Sequence, residues 1–176
     1  MYNYSAKLFD SSRRLADILT QEIGYSQEKF DELMTVAYSD EYPLSMRAAR
    51  IAYMCGCNYP FLFIPHIPRI LNVLPHLKTE GVIRGFLKTF AELQLPLNDE
   101  DQGYLADMAF ELANDVKKPI ALRVYSLDIL MKLCEQYPDL IPELLAIIDN
   151  FEINGSAALA VKRRRILKKI KIKGYE

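Results

Sequence analysis

The stretch PLSMRAARIAYM, residues 43–54, decides the fold, because a related stretch returns later in the chain. PIALRVYSLDILMKL, residues 119–133, has the same opening proline and the same arginine four residues later, both at an offset of 76. SAALAVKRRRILKKI, residues 156–170, then follows the second stretch at an offset of 37. Self-similarity at a fixed spacing of this size is the signature of a repeat protein.

The spacing of three arginines sets the period of the repeat. Arg84, which lies in GVIRGFLKTFAEL at residues 81–93, is 37 residues after Arg47 and 39 residues before Arg123. A period near 37–39 residues is the size of one pair of antiparallel helices stacked on the next pair.

Apolar and small residues within each repeat recur at three- and four-residue steps, which is the spacing of one face of an α-helix. The first stretch has this pattern at Ala48, Ile51, Ala52 and Cys55, and the second has it at Leu122, Ser126, Ile129, Leu130 and Leu133. Pro43, Pro119 and Pro138 lie where helices are expected to begin, a place where proline is tolerated.

These patterns predict an all-α fold, an α-α superhelix (solenoid) of about four to five antiparallel helix pairs. A single domain is expected over residues 1–176. Its predicted units are approximately residues 10–40, 41–77, 78–115 and 116–152, followed by a capping helix at 156–173.

Local signals predict where some helices begin and break. Asp10 or Ser11 is expected to cap a helix that ends at Gly24, and Ser26 is expected to open the next helix. Three prolines in FLFIPHIPRILNVLPHL, residues 61–77, predict a broken or late-starting helix, because proline is tolerated only in the first turn.

The chain resembles a HEAT or armadillo-type repeat protein, and the units look like HEAT repeats in particular. The resemblance rests on the proline and arginine of each first helix and on a Tyr-Pro pair before the second. It implies that Arg47, Arg84 and Arg123 have a structural role in a polar ladder between units. The last unit has Ala160 at this position, which fits a terminal unit.

Composition and charge indicate the class of protein. With 51% hydrophobic and 26% charged residues the chain is typical of globular proteins. The N-terminus lacks the basic-then-apolar order of a signal peptide, no stretch is long and apolar enough to span a membrane, and three cysteines suit a reducing compartment. These features predict a cytoplasmic protein.

Positive charge is concentrated near the C-terminus. Residues 162–176 contain eight Lys and Arg residues and one acid, so they carry +7, while residues 1–161 carry −8. On a helical wheel, one side has Leu159, Ile166, Leu167 and Ile170, and the other has Arg164, Arg165, Lys168, Lys169 and Lys171. Arg164 stands where the preceding unit has Leu127.

Two interpretations of these five cations stay open. They are either the solvated outer face of a capping helix or a binding site for nucleic-acid phosphates, whose affinity would fall steeply with salt. An acidic protein partner, a membrane surface, or the acidic body of another copy of the chain are further candidates.

Other candidate sites are weaker. Cys55, Cys57 and His66 could form part of a metal site, but no further ligand pair completes it, so buried thiols are expected and no metal or cofactor is predicted. His66 and His76 have no nucleophile or carboxylate near them in sequence, so core or loop histidines are expected.

The predicted function is that of a non-catalytic protein-interaction scaffold, with phosphate-backbone binding through the basic helix as the alternative. No phosphate-binding glycine loop and no hydrolase or metalloprotease motif occurs, which leaves an enzyme as a weak alternative and predicts no catalytic residues.

Phe61 and Phe63 either mark a peptide-binding groove or pack against the next unit, and packing is favoured.

Overall fold

The computed structural model describes residues 3–150 and 156–175, which are largely α-helical and contain no β-strand. The helices in these ranges are α1 (Tyr4–Lys7), α2 (Arg13–Ile23), α3 (Gln27–Tyr38), α4 (Leu44–Asn58), α5 (Ile67–Val73), α6 (Glu80–Glu92), α7 (Asp99–Asn114), α8 (Ile120–Leu133), α9 (Ile141–Asp149) and α10 (Ala157–Lys173). Three 3₁₀ segments accompany them at Pro60–His66, Leu74–His76 and Pro138–Leu140. The predicted all-α class is confirmed.

The chain divides into two compact units, residues 1–98 and residues 99–176. In the first unit, α4 is the central helix and packs against α2, α3 and α6. Small residues allow this close packing: Ala48, Ala49 and Ala52 are fully buried, and a Cβ added at Gly85 of α6 would lie 3.0 Å from the Cβ of Ala49. A side chain at residue 85 would therefore crowd Ala49 of α4 and require the neighbouring atoms to shift.

Side-chain caps begin α2 and α3. The hydroxyl of Ser12 accepts a hydrogen bond from the backbone N–H of Leu15 at 3.1 Å, so Ser12 caps α2, and the prediction of Asp10 or Ser11 was wrong by one residue or more. Asp10 instead accepts the N–H of Ser12 at 2.6 Å, which places the serine at the cap. Ser26 caps α3 as predicted.

Prolines mark the helix starts and breaks that the sequence predicts. Pro43 and Pro119 immediately precede α4 and α8, and Pro138 opens a 3₁₀ segment. The predicted broken helix is confirmed, because α5 begins only at Ile67, after a 3₁₀ segment that contains Pro65.

In the second unit, α8 is the central helix, and α7, α9 and α10 all contact it. At 100° per residue its buried residues span about 200° of the helix, namely Leu122, Arg123, Ser126, Leu127, Ile129, Leu130, Met131 and Leu133. A buried face this wide is typical of a helix that several neighbours enclose. By contrast, α10 buries only Leu159, Ile166 and Ile170, a single face.

Candidate interaction surface on the C-terminal helix

Helix α10 carries all five basic residues that the sequence singled out. Its buried residues Leu159, Ile166 and Ile170 follow one another at steps of seven and four residues, and they pack the helix against the rest of the second unit. Gly174 ends it with φ 68°, a left-handed conformation that favours glycine, and its N–H bonds back to the carbonyls of Ile170 and Lys171. The lysines at positions 171 and 173 lie in the last turn, where positive charge interacts favourably with the helix dipole.

Three acidic residues of the same unit form ion pairs with four of the cations. Lys162 pairs with Asp128 of α8, and Arg163 pairs with Asp149 of α9, with 3.1 Å between nitrogen and oxygen. Glu135, just after α8, accepts from two lysines, Lys169 at 2.6 Å and Lys173 at 3.1 Å. These pairs fix the orientation of α10 about its own axis. Of the five predicted residues, Lys169 is therefore already engaged within the chain.

The other four predicted cations form an open surface. Arg164, Arg165, Lys168 and Lys171 are all exposed, and none has a hydrogen-bond or ion-pair partner in the two ranges that the structure describes. We call these four residues the basic face. Two apolar side chains border it, Val161 with 38% and Ile172 with 73% of the residue exposed. The surface therefore combines positive charge with apolar contact area.

The lysine pair perturbs the titration of Glu135. Hydrogen bonds from Lys169 and Lys173 lower the pKa of this carboxyl below its ordinary value, because both favour the ionised form. Glu135 is thus a fixed anion at neutral pH. Among the residues that the structure describes, no carboxylate pairs with the basic face, so its positive potential extends into solvent.

The three repeat arginines occupy different environments. Arg123 is 4% exposed, and its Nε donates to the carbonyl of Ala113 in α7 at 3.0 Å. Arg47 donates to the carbonyl of Leu8 at 2.7 Å, just beyond α1. Arg84 is exposed, with no partner within residues 3–150 and 156–175. Two of the three thus bond a carbonyl at the end of an earlier helix, and a common ladder stays a prediction.

A polar cluster in the first unit escaped sequence reasoning. His66 Nε2 lies 2.8 Å from the carboxylate of Asp31, and its Nδ1 lies 3.1 Å from the hydroxyl of Tyr38. Because a carboxylate only accepts, Nε2 donates to Asp31 and Nδ1 of the neutral ring accepts from Tyr38. The guanidinium of Arg69 lies 4.2 Å from the centroid of the Tyr38 ring.

This cluster resembles a catalytic triad in connectivity but lacks an activated nucleophile. Burial raises the pKa of Tyr38, and Asp31 adds to that effect although Arg69 opposes it, so the phenol stays protonated at neutral pH. A tyrosine nucleophile needs the opposite shift. What the hydrogen bonds of this cluster do is join α3 to the 3₁₀ segment at Pro60–His66. His66 is separated from Asp31 by 35 residues, and no local sequence signal links them.

The two phenylalanines of the 61–77 stretch have different environments. Phe63 is fully buried and packs edge-to-face on Phe30, with ring centroids 5.0 Å apart, so it packs as favoured, although this contact is with the preceding predicted unit and not the next one. Phe61 is 49% exposed and lies edge-to-face to Tyr59. Residues two apart point to different sides of such a helical segment, so one phenylalanine is buried while the other is partly exposed.

The cysteines correct one prediction. Cys55 and Cys134 are buried, and burial raises the pKa of their thiols to about 12 and about 11. Cys57 is exposed, so the expectation of a buried thiol was wrong there. Two residues along an α-helix correspond to a rotation of about 200°, which puts Cys57 on the side opposite Cys55. No three His, Cys, Asp or Glu side chains within the described residues are placed to hold a metal ion.

Among the helices that the structure describes, none has both the length and the apolar content needed to cross a membrane.

Comparison with known proteins supports the repeat architecture. The family model of the HEAT repeat domain matches residues 8–170, nearly the whole chain. No curated protein and no solved structure matches the sequence of this chain. The match covers all the helices from α2 to α9 and most of α10, including both central helices and their repeat arginines. It confirms the predicted resemblance, and the chain belongs to the HEAT repeat family.

Proposed function

We propose that this chain is a non-catalytic protein-interaction module that binds an acidic partner surface through the basic face of α10. HEAT repeats generally mediate protein interactions, and the family is typically non-catalytic. The observation that carries the proposal is the division of charge on one helix. Lys162, Arg163, Lys169 and Lys173 are held by acids of the same unit, whereas the basic face is open.

The paired cations support binding by the open ones. Ion pairs to Asp128, Glu135 and Asp149 anchor α10 on both sides of its buried face. The basic face is consequently presented by a helix that is already ordered, so binding loses less conformational entropy. Arg164 and Arg165 can also form two parallel hydrogen bonds to a carboxylate, which a lysine cannot.

The apolar border of the basic face favours a protein as the partner. Val161 and Ile172 are exposed beside the cations, and apolar contacts surrounded by polar groups are the usual composition of protein interfaces. A phosphate backbone would engage the cations and leave these two side chains in water. We therefore place an acidic protein surface before nucleic acid.

Nucleic-acid binding is the second candidate, and the same unpartnered cations favour it. Arg164 and Lys171 are seven residues apart, about 10 Å along the helix, so the four cations could contact neighbouring phosphates of one strand. Such binding would be independent of sequence and strongly dependent on salt.

Fluorescence anisotropy separates the two candidates. The probes are a labelled acidic peptide of about 12 residues with interspersed leucines, a duplex DNA and a single-stranded RNA, each at about 50 and 300 mM salt. The test variant changes Arg164, Arg165, Lys168 and Lys171 to Gln. The matched control changes four exposed cations outside α10, Arg14, Arg84, Lys117 and Lys118, to Gln, with the same loss of charge.

We expect the wild type and the control to bind the peptide more tightly than either nucleic acid, and the test variant to lose at least tenfold in affinity. Tighter binding of DNA or RNA, lost only in the test variant, would favour the second candidate instead. If no probe binds the wild type, or if both variants lose affinity equally, the basic face is not the binding site.

A further inference from the structure

We infer that the acidic partner of the basic face includes a second copy of this chain, which docks the exposed side of its α7 there. This inference rests on the proposed function of α10 and names one occupant for it. The two surfaces belong to the same unit, and both helices pack against α8.

Helix α7 has an acidic face opposite its buried side. Glu100, Tyr104, Asp107 and Glu111 are exposed and, at 100° per residue, lie within about 60° of one another. No cation pairs with the three carboxylates in the described part of the chain. Tyr104 is 45% exposed, and a Cβ added at the neighbouring Gly103 would meet no atom within 4 Å. The face is open enough for another helix to approach.

The two faces have matching spacing as well as opposite charge. Arg164, Lys168 and Lys171 lie at steps of four and three residues, and so do Glu100, Tyr104 and Asp107. Both sets extend about 10 Å along their helices. If the helices lie side by side and parallel, Arg164 meets Glu100 and Lys171 meets Asp107.

The central position of each set can also pair. Lys168 would lie over the ring of Tyr104, an attractive cation–π arrangement. The chain already uses this contact elsewhere, since Lys88 Nζ is 4.1 Å from the ring centroid of Tyr53. Charge complementarity thus extends over three successive side chains of each helix.

The contact has to form between molecules. Both helices are fixed against α8, and within the described residues neither face has a charged partner, so they do not neutralise each other inside one chain. A contact between two different surfaces gives a ring or an open chain of copies, or a two-fold dimer if the contact occurs twice. Because exposed ion pairs are individually weak and screened by salt, the association is reversible and salt-sensitive.

Charge reversal with sedimentation velocity tests the inference. One variant reverses α7 (Glu100→Lys, Asp107→Lys, Glu111→Lys), and a second reverses α10 (Arg164→Glu, Lys168→Glu, Lys171→Glu). A control reverses three exposed acids elsewhere (Glu41→Lys, Asp139→Lys, Glu143→Lys) with the same charge change as the first. Far-UV circular dichroism and thermal melting establish that each variant folds.

We expect the weight-average sedimentation coefficient of the wild type and of the control to rise with concentration at low salt and to fall in high salt. Each reversed variant alone should remain a monomer, and an equimolar mixture of the two should associate again, because it restores opposite charges. A mixture that stays monomeric, a control that also loses association, or a wild type that remains monomeric up to about 1 mM would overturn the inference.

The peptide assay tells this failure from failure of the proposed function. A wild type that stays monomeric yet binds the acidic peptide through α10 refutes only the second copy as partner. A wild type that neither associates nor binds the peptide refutes both.

Discussion

Helices α8 and α10 repeat one pattern at an offset of 37 residues, yet one face of each has entirely different surroundings. Three buried residues, Leu127 and Met131 of α8 and Cys134 at its C-terminal cap, correspond in α10 to Arg164, Lys168 and Lys171. In α8 this face is enclosed by neighbours, and in α10 it meets solvent. The shared residues Leu122 and Leu159, or Ile129 and Ile166, are buried in both. The repeat thus preserves the inward face and exchanges the outward one.

The largest expected effect breaks the comparison at its central position. Leu127→Ala should lower the free energy of unfolding by about 2–5 kcal/mol, because it leaves a cavity in a fully buried site. Arg164→Ala, at the corresponding exposed site, should change it by less than about 0.5 kcal/mol. Urea unfolding followed by circular dichroism measures both. Similar losses for the two variants would mean that the face of α10 is buried as the face of α8 is.

A second difference is the buried arginine of α8, which α10 replaces with Ala160. Arg123→Met should cost about 1–3 kcal/mol, because the buried carbonyl of Ala113 loses a charged donor. Arg47→Met should cost about 1 kcal/mol, since water can reach its partners, and Arg84→Met should be nearly neutral.

The same unfolding experiment orders these three variants. Equal losses at positions 47, 84 and 123 would support a uniform ladder of arginines between units, as the family resemblance implies. The graded order, with the largest loss at Arg123 and the smallest at Arg84, would show instead that the stability contributed by each arginine depends on how deeply it is buried.

The sequence predicted the inward faces well because hydrophobic periodicity records burial directly. Ala48, Ile51, Ala52 and Cys55 are all buried, as their spacing indicated. The same periodicity separated the exposed cations of α10 from its buried leucine and isoleucines. It could also have placed Cys57 on the outer side, two residues beyond Cys55, where the structure has it.

Contacts between helices were beyond such reasoning. The ion pair that joins Lys169 to Glu135 and the bond from His66 to Asp31 depend on how two helices pack, and a repeat pattern does not specify this. A helical wheel assigns Lys169 to the exposed side correctly, but only the packing of α10 beside Glu135 shows that this lysine is engaged. The acidity of α7 is apparent from the sequence, but only the structure shows that Glu100, Asp107 and Glu111 are exposed without a cation partner among the described residues.

The smallest expected effect concerns Glu135, whose ion pairs with Lys169 and Lys173 join the end of α8 to α10. Lys169 and Lys173 lower the folded-state pKa of Glu135 below 4.5, so the ionised form stabilises the fold. That stabilisation is fully present above the unfolded-state pKa and is lost as the pH falls through the lowered folded-state value. Because the side chain is 37% exposed, we expect no more than about 1 kcal/mol at pH 7.

Glu135→Gln should therefore be less stable than the wild type at pH 7, and the difference should shrink as the pH falls from 4.5 through the lowered folded-state pKa. Thermal melts of both proteins across this range measure it, and Glu41→Gln, an exposed acid without a cation partner in the described residues, is the control. A difference that persists unchanged at low pH would assign the loss to packing. Disappearance of the difference only in the Glu135 variant would establish that charge, and not apolar contact alone, holds α10 to the end of α8.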